Sequence, residues 1–459
     1  MSRRYHLRTF GCQMNQHDAE KIENLLHHEG YRPTGSAQAA DLILVHTCSV
    51  RDKAEKKLYS ELGTYAPLKR ARPELGGGVG GCVAQQEGGG LLKRFGGLDF
   101  VFGPQNLHRI PEMVYAARQR ERTLRVDYDE AAEARFELPE LHPEFATRTP
   151  GRAYVTVMEG CDLFCSFCVV PMTRGREVSR SSAEILAEVA QRARQGAVEV
   201  TLLGQTVNAY GRKRPGMARD EIPFSELIRR VAGIEGIERI RFTSPHPIFA
   251  TQDLIDCYRD VPELCPHLHL PVQSGSDRML AAMNRRYTRA EYLQIVRELR
   301  QACPDLALTS DLIVGFPGES EADFEATLEL VEDAQFVDSF SFKYSPRPGT
   351  AAVRKQLELV EPAQAQERLE RLQGLQRALS LADHRRQIGT RVDVLVEGES
   401  RRGSGQLTGR SGRHRIVNFE SAEPIEPGRF ASVQITGATP HSMLGTTAQA
   451  APSQELDLA

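Results

Sequence analysis

The chain has 459 residues, 40% of them hydrophobic and 26% charged, with a formal net charge of −3. That length and composition read as a globular protein of about two to four domains. They exclude a membrane-spanning bundle, because no stretch approaches the ~18 apolar residues a span needs, and a generic polycationic coat for nucleic acid, although a local basic patch stays open. The N-terminus, Met1 to Phe10, has no apolar core, so no secretory signal is expected. Nine cysteines, an odd number, predict a reducing compartment with metal or redox use of the thiols, hence a cytoplasmic protein.

Residues 4–118 read as a small parallel α/β domain. Strands are predicted at 5–10, 41–47 and 98–102, and helices at 15–29 and 52–69. Cys12, Cys48 and Cys82 each fall where a unit's strand ends, with separations of 36 and 34 residues. Parallel strands bring their C-terminal ends to one edge, which is where such sheets place their sites. The three thiols therefore form either a cluster site with one iron unclaimed or a set of buried thiols. Gly76 to Gly81 formally matches G-x-G-x-x-G, with Asp99 beyond it. The segment before it, Arg70 to Glu74, is not a buried strand, so a glycine-rich turn is expected rather than a dinucleotide site. Residues 119–150 are charged and carry Pro139, Pro143 and Pro150, the composition of a linker, with room for a short hairpin or helix.

Residues 151–383 repeat strand and helix. Six strands are predicted, at 153–157, 199–203, 239–243, 267–272, 307–315 and 337–344, with helices between them. This is the pattern of a partial (β/α)6 barrel, whose function belongs at the C-terminal ends of the strands. After the first strand come Cys161, Cys165 and Cys168, spaced C-x3-C-x2-C. Three thiolates on one loop suit an iron–sulfur cluster with an open iron. Structural zinc would want a fourth Cys or His close by, and none lies between Met158 and Pro171. A disulfide would leave an odd thiol. On spacing alone, cluster, zinc and inert or redox thiols all stay open. Other polar residues share the same address: Gln205 with Asn208, His246, Gln273 to Ser276, Asp311, Gly315 to Glu319, and Lys343 to Arg347.

Residues 387–445 hold alternating segments at 391–397, 415–419 and 429–435, the pattern of a small β-barrel. Between Arg401 and Arg415 lie five arginines, one histidine and no acid. This is either a solvated loop or a phosphate-binding patch. Residues 446–459 read as a polar tail.

C-x3-C-x2-C directly after a strand resembles the signature of the radical S-adenosylmethionine (radical SAM) enzymes. The order of the three blocks resembles one branch of them, the methylthiotransferases: an N-terminal α/β domain with three cluster-binding cysteines, a radical SAM barrel, and a TRAM domain, a small RNA-binding β-barrel. The likeness runs through Phe10 to Asn15, Cys168 to Pro171, Thr173 to Gly175, Leu268 to Ser276, Ile313 to Glu319 and Tyr344 to Thr350. Within the branch these stretches are most similar to the enzymes acting on isopentenyladenosine beside the tRNA anticodon. Asp162, Met172 and the glycines before Cys82 depart from the family's usual residues.

The resemblance implies two [4Fe-4S] clusters, one held by Cys161, Cys165 and Cys168 and an auxiliary one by Cys12, Cys48 and Cys82. One S-adenosylmethionine would methylate a sulfur at the auxiliary cluster. A second would be cleaved by one electron to methionine and a 5′-deoxyadenosyl radical. The partners implied are a tRNA carrying isopentenyladenosine, an electron donor of flavodoxin or ferredoxin type, and a sulfur or cluster donor, with no membrane. No catalytic acid or base is assigned; Asp311 or a nearby group is a candidate for managing the leaving hydrogen, which the sequence does not show. Cys257, Cys265 and Cys303 match no ligand position. The competing readings are a methylthiotransferase acting on threonylcarbamoyladenosine or a ribosomal protein aspartate, a non-enzymatic RNA-binding protein with clusters or zinc, and an electron-transfer ferredoxin.

Overall fold

The computed structural model describes residues 2–49, 52–128, 136, 139–142, 149–212, 221–355, 357–400 and 405–447. The first domain comprises β1 (Arg3–Phe10), α1 (Gln13–His28), β2 (Tyr31–Pro33), β3 (Leu42–Thr47), α2 (Asp52–Ala71), β4 (Gly76–Gly81), α3 (Cys82–Glu87), α4 (Gly89–Arg94), β5 (Phe100–Phe102), α5 (Ile110–Arg118) and β6 (Thr123–Arg125). The strands form one parallel sheet in the order β2-β1-β3-β4-β5-β6. Every residue of β3 is buried, as expected for a strand covered on both faces. Ile22, Leu25 and Leu26 of α1 pack one face with Leu42 and Leu44, and Leu58 and Leu62 of α2 cover the other with Val45 and Val79.

Two expectations fail here. Gly76–Gly81 is not a turn but the strand β4, hydrogen-bonded between β3 and β5. Glycine is a poor strand former because it offers no side chain to pack. The neighbouring strand supplies the missing volume: a Cβ on Gly78 would lie 2.4 Å from the Phe100 ring, and one on Gly80 would lie 2.2 Å from the Phe102 ring. Strand pairing needs only backbone groups, so the glycines keep their place in the ladder. The second failure is in the 119–150 linker. Its start contributes β6, an edge strand parallel to β5, while 129–135, 137–138 and 143–148 lie outside the described residues.

The second domain comprises β7 (Arg152–Thr156), β8 (Met158–Glu159), α6 (Val170–Thr173), β9 (Val178–Ser179), α7 (Ser182–Arg194), β10 (Glu199–Leu203), α8 (Phe224–Ala232), β11 (Arg239–Phe242), α9 (Gln252–Asp260), β12 (His267–His269), α10 (Asp277–Ala282), α11 (Arg289–Ala302), β13 (Ala307–Val314), α12 (Glu321–Ala334), β14 (Asp338–Lys343), α13 (Ala351–Arg354) and α14 (Pro362–Arg386). The six expected strands form two parallel sheets, β11-β10-β7 and β12-β13-β14, joined by a bridge between Ile240 and Leu264. The partial barrel is thus observed. The short pair β8–β9 closes the base of the loop carrying Cys161 to Cys168. The 25-residue helix α14 was not expected. Its buried residues include Arg368, Gln376, Ser380, Asp383 and His384, so its core-facing stripe is largely polar and gives no hydrophobic period.

The third domain is a closed five-stranded barrel, β15 (Arg391–Glu399), β16 (Leu407–Ser411), β17 (Ile416–Glu420), β18 (Phe430–Ala438) and β19 (Met443–Thr447). Residues 446 and 447, assigned to the tail, belong to β19, which closes the barrel between β17 and β18. The barrel seals the N-terminal ends of the radical-domain strands. Arg152 pairs with Glu397 at 2.6 Å, Arg239 donates to the Asp393 carbonyl at 2.7 Å, and Arg241 donates to the Ser411 carbonyl at 2.9 Å. The basic run turns inward as well. Arg410 meets Glu397 at 3.0 Å, Arg413 meets Asp383 at 2.7 Å and Arg415 meets Asp338 at 3.3 Å. Arg413 and Arg415 are therefore interdomain ties and Arg410 is paired within the barrel, rather than the three forming an open phosphate patch, and 401–404 lie outside the described residues. Among the described residues no helix is long and apolar enough to cross a membrane.

Candidate active site: two thiol triads on facing edges

The first triad assembles as the strand topology requires. Cys12 follows β1, Cys48 follows β3, and Cys82 follows β4. These three strands are adjacent and parallel, so their ends converge. The Sγ atoms of Cys12 and Cys48 are 4.0 Å apart, too far for a disulfide at about 2.05 Å. Gly11 makes this approach feasible: its φ is +132°, and a Cβ there would lie 2.3 Å from the Cys48 Cβ. Asn15 accepts from the Cys12 thiol at 3.1 Å and contacts His46 at 3.3 Å.

The electrostatics of this triad come partly from the other domain. Arg174, six residues beyond Cys168, is buried and ion-paired with the equally buried Asp18 of α1. Glu159 stands 4.0 Å from the same guanidinium. The Cys48 hydrogen bond, opposed by burial and aided by Arg174, pulls the Cys12 thiol down to about 7. The same causes pull Cys82 down to about 6, while Cys48 is pushed well above the usual thiol range by its bonds to the other two and by burial. Arg174 Nη1, Asp18 Oδ1 and His46 Nε2 are buried with no hydrogen-bond partner among the described residues.

The second triad sits at the C-terminal end of β7. Cys161 Sγ lies 3.1 Å from Thr206 Oγ1, Cys165 Sγ accepts from Arg285 Nη1 at 3.4 Å, and Cys168 Sγ faces the Val170 N–H at 3.5 Å. Gly160, with φ +81°, turns the chain into the loop, and a Cβ there would meet the Arg176 carbonyl at 2.0 Å. Burial pushes the Cys161 thiol up, and burial with the neighbouring Cys165 pushes Cys168 up to about 12. Thiolates here need a bound cation to hold them.

Both donor sets fit thiolate-ligated clusters. Each brings three sulfurs together with polar side chains that steady them, and in the first an orphaned guanidinium nitrogen adds positive charge for an anionic group. Among the described residues no three His, Cys, Asp or Glu are gathered tightly enough around one point to hold a single metal ion.

The domains meet between the triads. His17 Nδ1 contacts Thr156 Oγ1 at 2.7 Å, Lys21 reaches Glu159 at 3.7 Å, and Gln105 donates to the Arg174 carbonyl at 2.8 Å. The other expected site residues divide. Gln205 Oε1 accepts from the Gly160 N–H at 2.5 Å, so it braces the cysteine loop. Asn208 and His246 bond to each other through the His246 backbone, at 3.0 and 2.8 Å. Ser274 and Ser276 are tied to α12 through Thr327 and Asp323, and Glu319 holds Arg368 of α14 at 2.9 Å. Those three are architectural. Asp311 faces the barrel lumen, 3.5 Å from His269 Nε2. Cys257 and Cys265 are buried away from both triads, and Cys303 is half-buried at the end of α11.

Sequence reasoning missed Arg174 as a site residue, although it lay inside a quoted motif, and missed Thr206 and Arg285 entirely. Arg285 lies 120 residues from Cys165 and carries no local signal.

Comparison with known proteins agrees with this division. The Radical SAM superfamily pattern matches residues 155–331, the uncharacterized protein family UPF0004 matches 4–103, and the TRAM domain matches 385–447. A tRNA-2-methylthio-N(6)-dimethylallyladenosine synthase of Geobacter metallireducens is 52% identical over 96% of this chain and 98% of its own. One of Yersinia pseudotuberculosis is 48% identical over 97% and 92%. Among solved structures, the radical S-adenosylmethionine methyltransferase TsrM of Kitasatospora setae, with cobalamin and a [4Fe-4S] cluster bound, superposes with a TM-score of 0.55. It covers 77% of each chain at 15% identity, a likeness of fold alone.

Proposed function

This chain belongs to the radical SAM methylthiotransferases, among the tRNA-2-methylthio-N(6)-dimethylallyladenosine synthases, and we propose that its two thiol triads divide that reaction between them. The enzyme methylthiolates carbon 2 of isopentenyladenosine in tRNA and uses S-adenosylmethionine and 4Fe-4S clusters. When bound, these cofactors supply the one-electron chemistry, the methyl group and the sulfur that an unactivated C–H bond requires. Cys161, Cys165 and Cys168 hold the cluster that engages S-adenosylmethionine. Cys12, Cys48 and Cys82 hold the auxiliary cluster associated with sulfur. The observation that carries this assignment is Arg174: it leaves the radical loop and ends buried against the other triad, so the two sites face one interior.

The remaining residues hold and shield. Thr206 and Arg285 orient Cys161 and Cys165, and Gln205 ties the loop to the end of β10. The Arg174–Asp18 pair keeps positive charge beside the auxiliary thiolates, which stabilises their ionised form. The target base leaves its stack to enter between the triads. The C-terminal barrel grips the tRNA backbone through surfaces other than Arg410, Arg413 and Arg415. A flavodoxin- or ferredoxin-type donor for the electron and a sulfur or cluster donor are the partners we infer from the chemistry of the reaction. The odd number of cysteines supports a reducing compartment, and we infer the cytoplasm.

Anaerobic reconstitution tests the division. Cys165→Ala abolishes reductive cleavage of S-adenosylmethionine. Cys48→Ala abolishes methylthiolation of tRNA, read by nucleoside mass spectrometry, and retains cleavage. Full methylthiolation by Cys48→Ala overturns the assignment.

A further inference from the structure

Strand β14 is an end strand of its sheet and carries two large apolar side chains in water: Phe340 is 52% exposed and Phe342 40%. Residues two apart on a strand share a face. That face is the barrel lumen. On the opposite side, Ser339 and Ser341 are small residues where α14 packs, and Gln376 and Ser380 of α14 bond the carbonyls of Phe336 and Val337. On the lumen side, Phe340 is in register with Asp311 and Phe342 with Ile313. The Phe340 ring meets His269 edge-on at 5.9 Å. Ile313 packs against the buried cluster of Met279, Met283 and Phe316, and Phe167, inside the loop carrying the radical triad, packs against the same cluster. An apolar strip thus runs from the cluster loop along β14, with the Asp311–His269 pair beside it.

Two rings left in water on a concave wall call for an apolar occupant. The occupant must also present a polar group one strand away, at Asp311. Resting on the substrate reading above, we propose that Phe340 and Phe342 form the wall that receives the isopentenyl group of the target adenosine and thereby set substrate specificity. The substituted N6 carries that juxtaposition: a branched hydrocarbon next to an N–H that a carboxylate accepts. The same wall disfavours a charged substituent at that nitrogen, because burying an ion against two rings leaves it unpaired.

The test uses the reconstituted holoenzyme and two anticodon stem–loop RNAs, identical except for isopentenyladenosine or adenosine at the target. The quantity read is the ratio of their dissociation constants. Phe340→Ala with Phe342→Ala lowers the preference for the prenylated RNA about tenfold, as lost contacts in an apolar pocket do, while Phe340→Leu with Phe342→Leu keeps most of it. Iron content and melting midpoint stay at wild-type values, because neither ring is in the core. An unchanged ratio overturns the proposal. Equal weakening of both RNAs also overturns it, since the rings would then stack a base. A wild-type ratio of one overturns the substrate reading itself.

Discussion

Arg174 is the residue on which the two halves of the site depend. Its guanidinium is buried among Asp18, Glu159 and the thiols of Cys82 and Cys12, and these neighbours, acting against burial, hold its pKa well above the usual range. Removing one partner of such a pair strands a buried charge, at a cost of about 3–5 kcal/mol. Arg174→Gln is therefore expected to lower the unfolding midpoint and to lose iron from the auxiliary triad first. Iron analysis and visible absorption of Arg174→Gln beside Cys48→Ala would check this. Arg174→Gln combined with Asp18→Asn should recover part of the stability, since no buried carboxylate is then left alone. Retention of all iron by the single variant would show that Arg174 is structural filling only.

At the scale of elements, β4 and β5 form one packing unit. The five glycines of β4 are tolerable only because Phe100 and Phe102, stacked 6.1 Å apart, lie over Gly78 and Gly80. Gly80→Val should destabilise by about 3 kcal/mol, the upper end for overpacking. Gly80→Val with Phe102→Val should regain most of that loss, a coupling that a double-mutant cycle in denaturant measures. Additive losses would mean that the rings move aside without help. Because Cys82 directly follows β4, Gly80→Val should also disturb the auxiliary triad, visible as reduced iron content. The same unit explains why periodicity misread the segment. A hydrophobic alternation requires side chains, and here the side chains that belong to β4's space are carried by β5.

On the whole-molecule scale, the C-terminal barrel is bolted to the face opposite the cysteine loop. His267 of β12 and His414 of the barrel lie ring to ring at 4.8 Å. Burial first, then Arg241 and other arginines, lowers both far below 6.5. Folded, both are neutral; unfolded, both titrate near 6.5. Between those values the unfolded chain binds more protons, so stability rises with pH in that window and is lost as pH falls below about 6.5. The loss approaches about 1.4 kcal/mol per histidine per pH unit. The barrel interface should thus melt earlier at about pH 5.5 than at about pH 7.5, and His414→Asn should flatten that dependence. Asparagine suits the position because His414 sits at φ +61°. A midpoint independent of pH in the wild type would contradict the interface role. The inward turn of Arg413 and Arg415 belongs to this scale too: a basic run is legible in sequence, but whether it faces solvent or a neighbouring domain is not.

The sequence by itself determined the three-domain order, the six strands of the partial barrel, and the six candidate ligand cysteines. It could do so because these are local: strand patterns repeat every two residues, one triad is compressed into eight residues, and the other repeats once per βα unit. Tertiary structure alone decided what acts across those units. It brought Arg174 from one domain to the thiols of another, Arg285 to Cys165, the Phe100 and Phe102 rings into the space above β4, and Arg413 and Arg415 into an interface. It also left Phe340 and Phe342 open to the lumen. In each case a side chain meets a group far away in sequence, and the energy of burying charge or filling volume depends on that meeting rather than on neighbours along the chain.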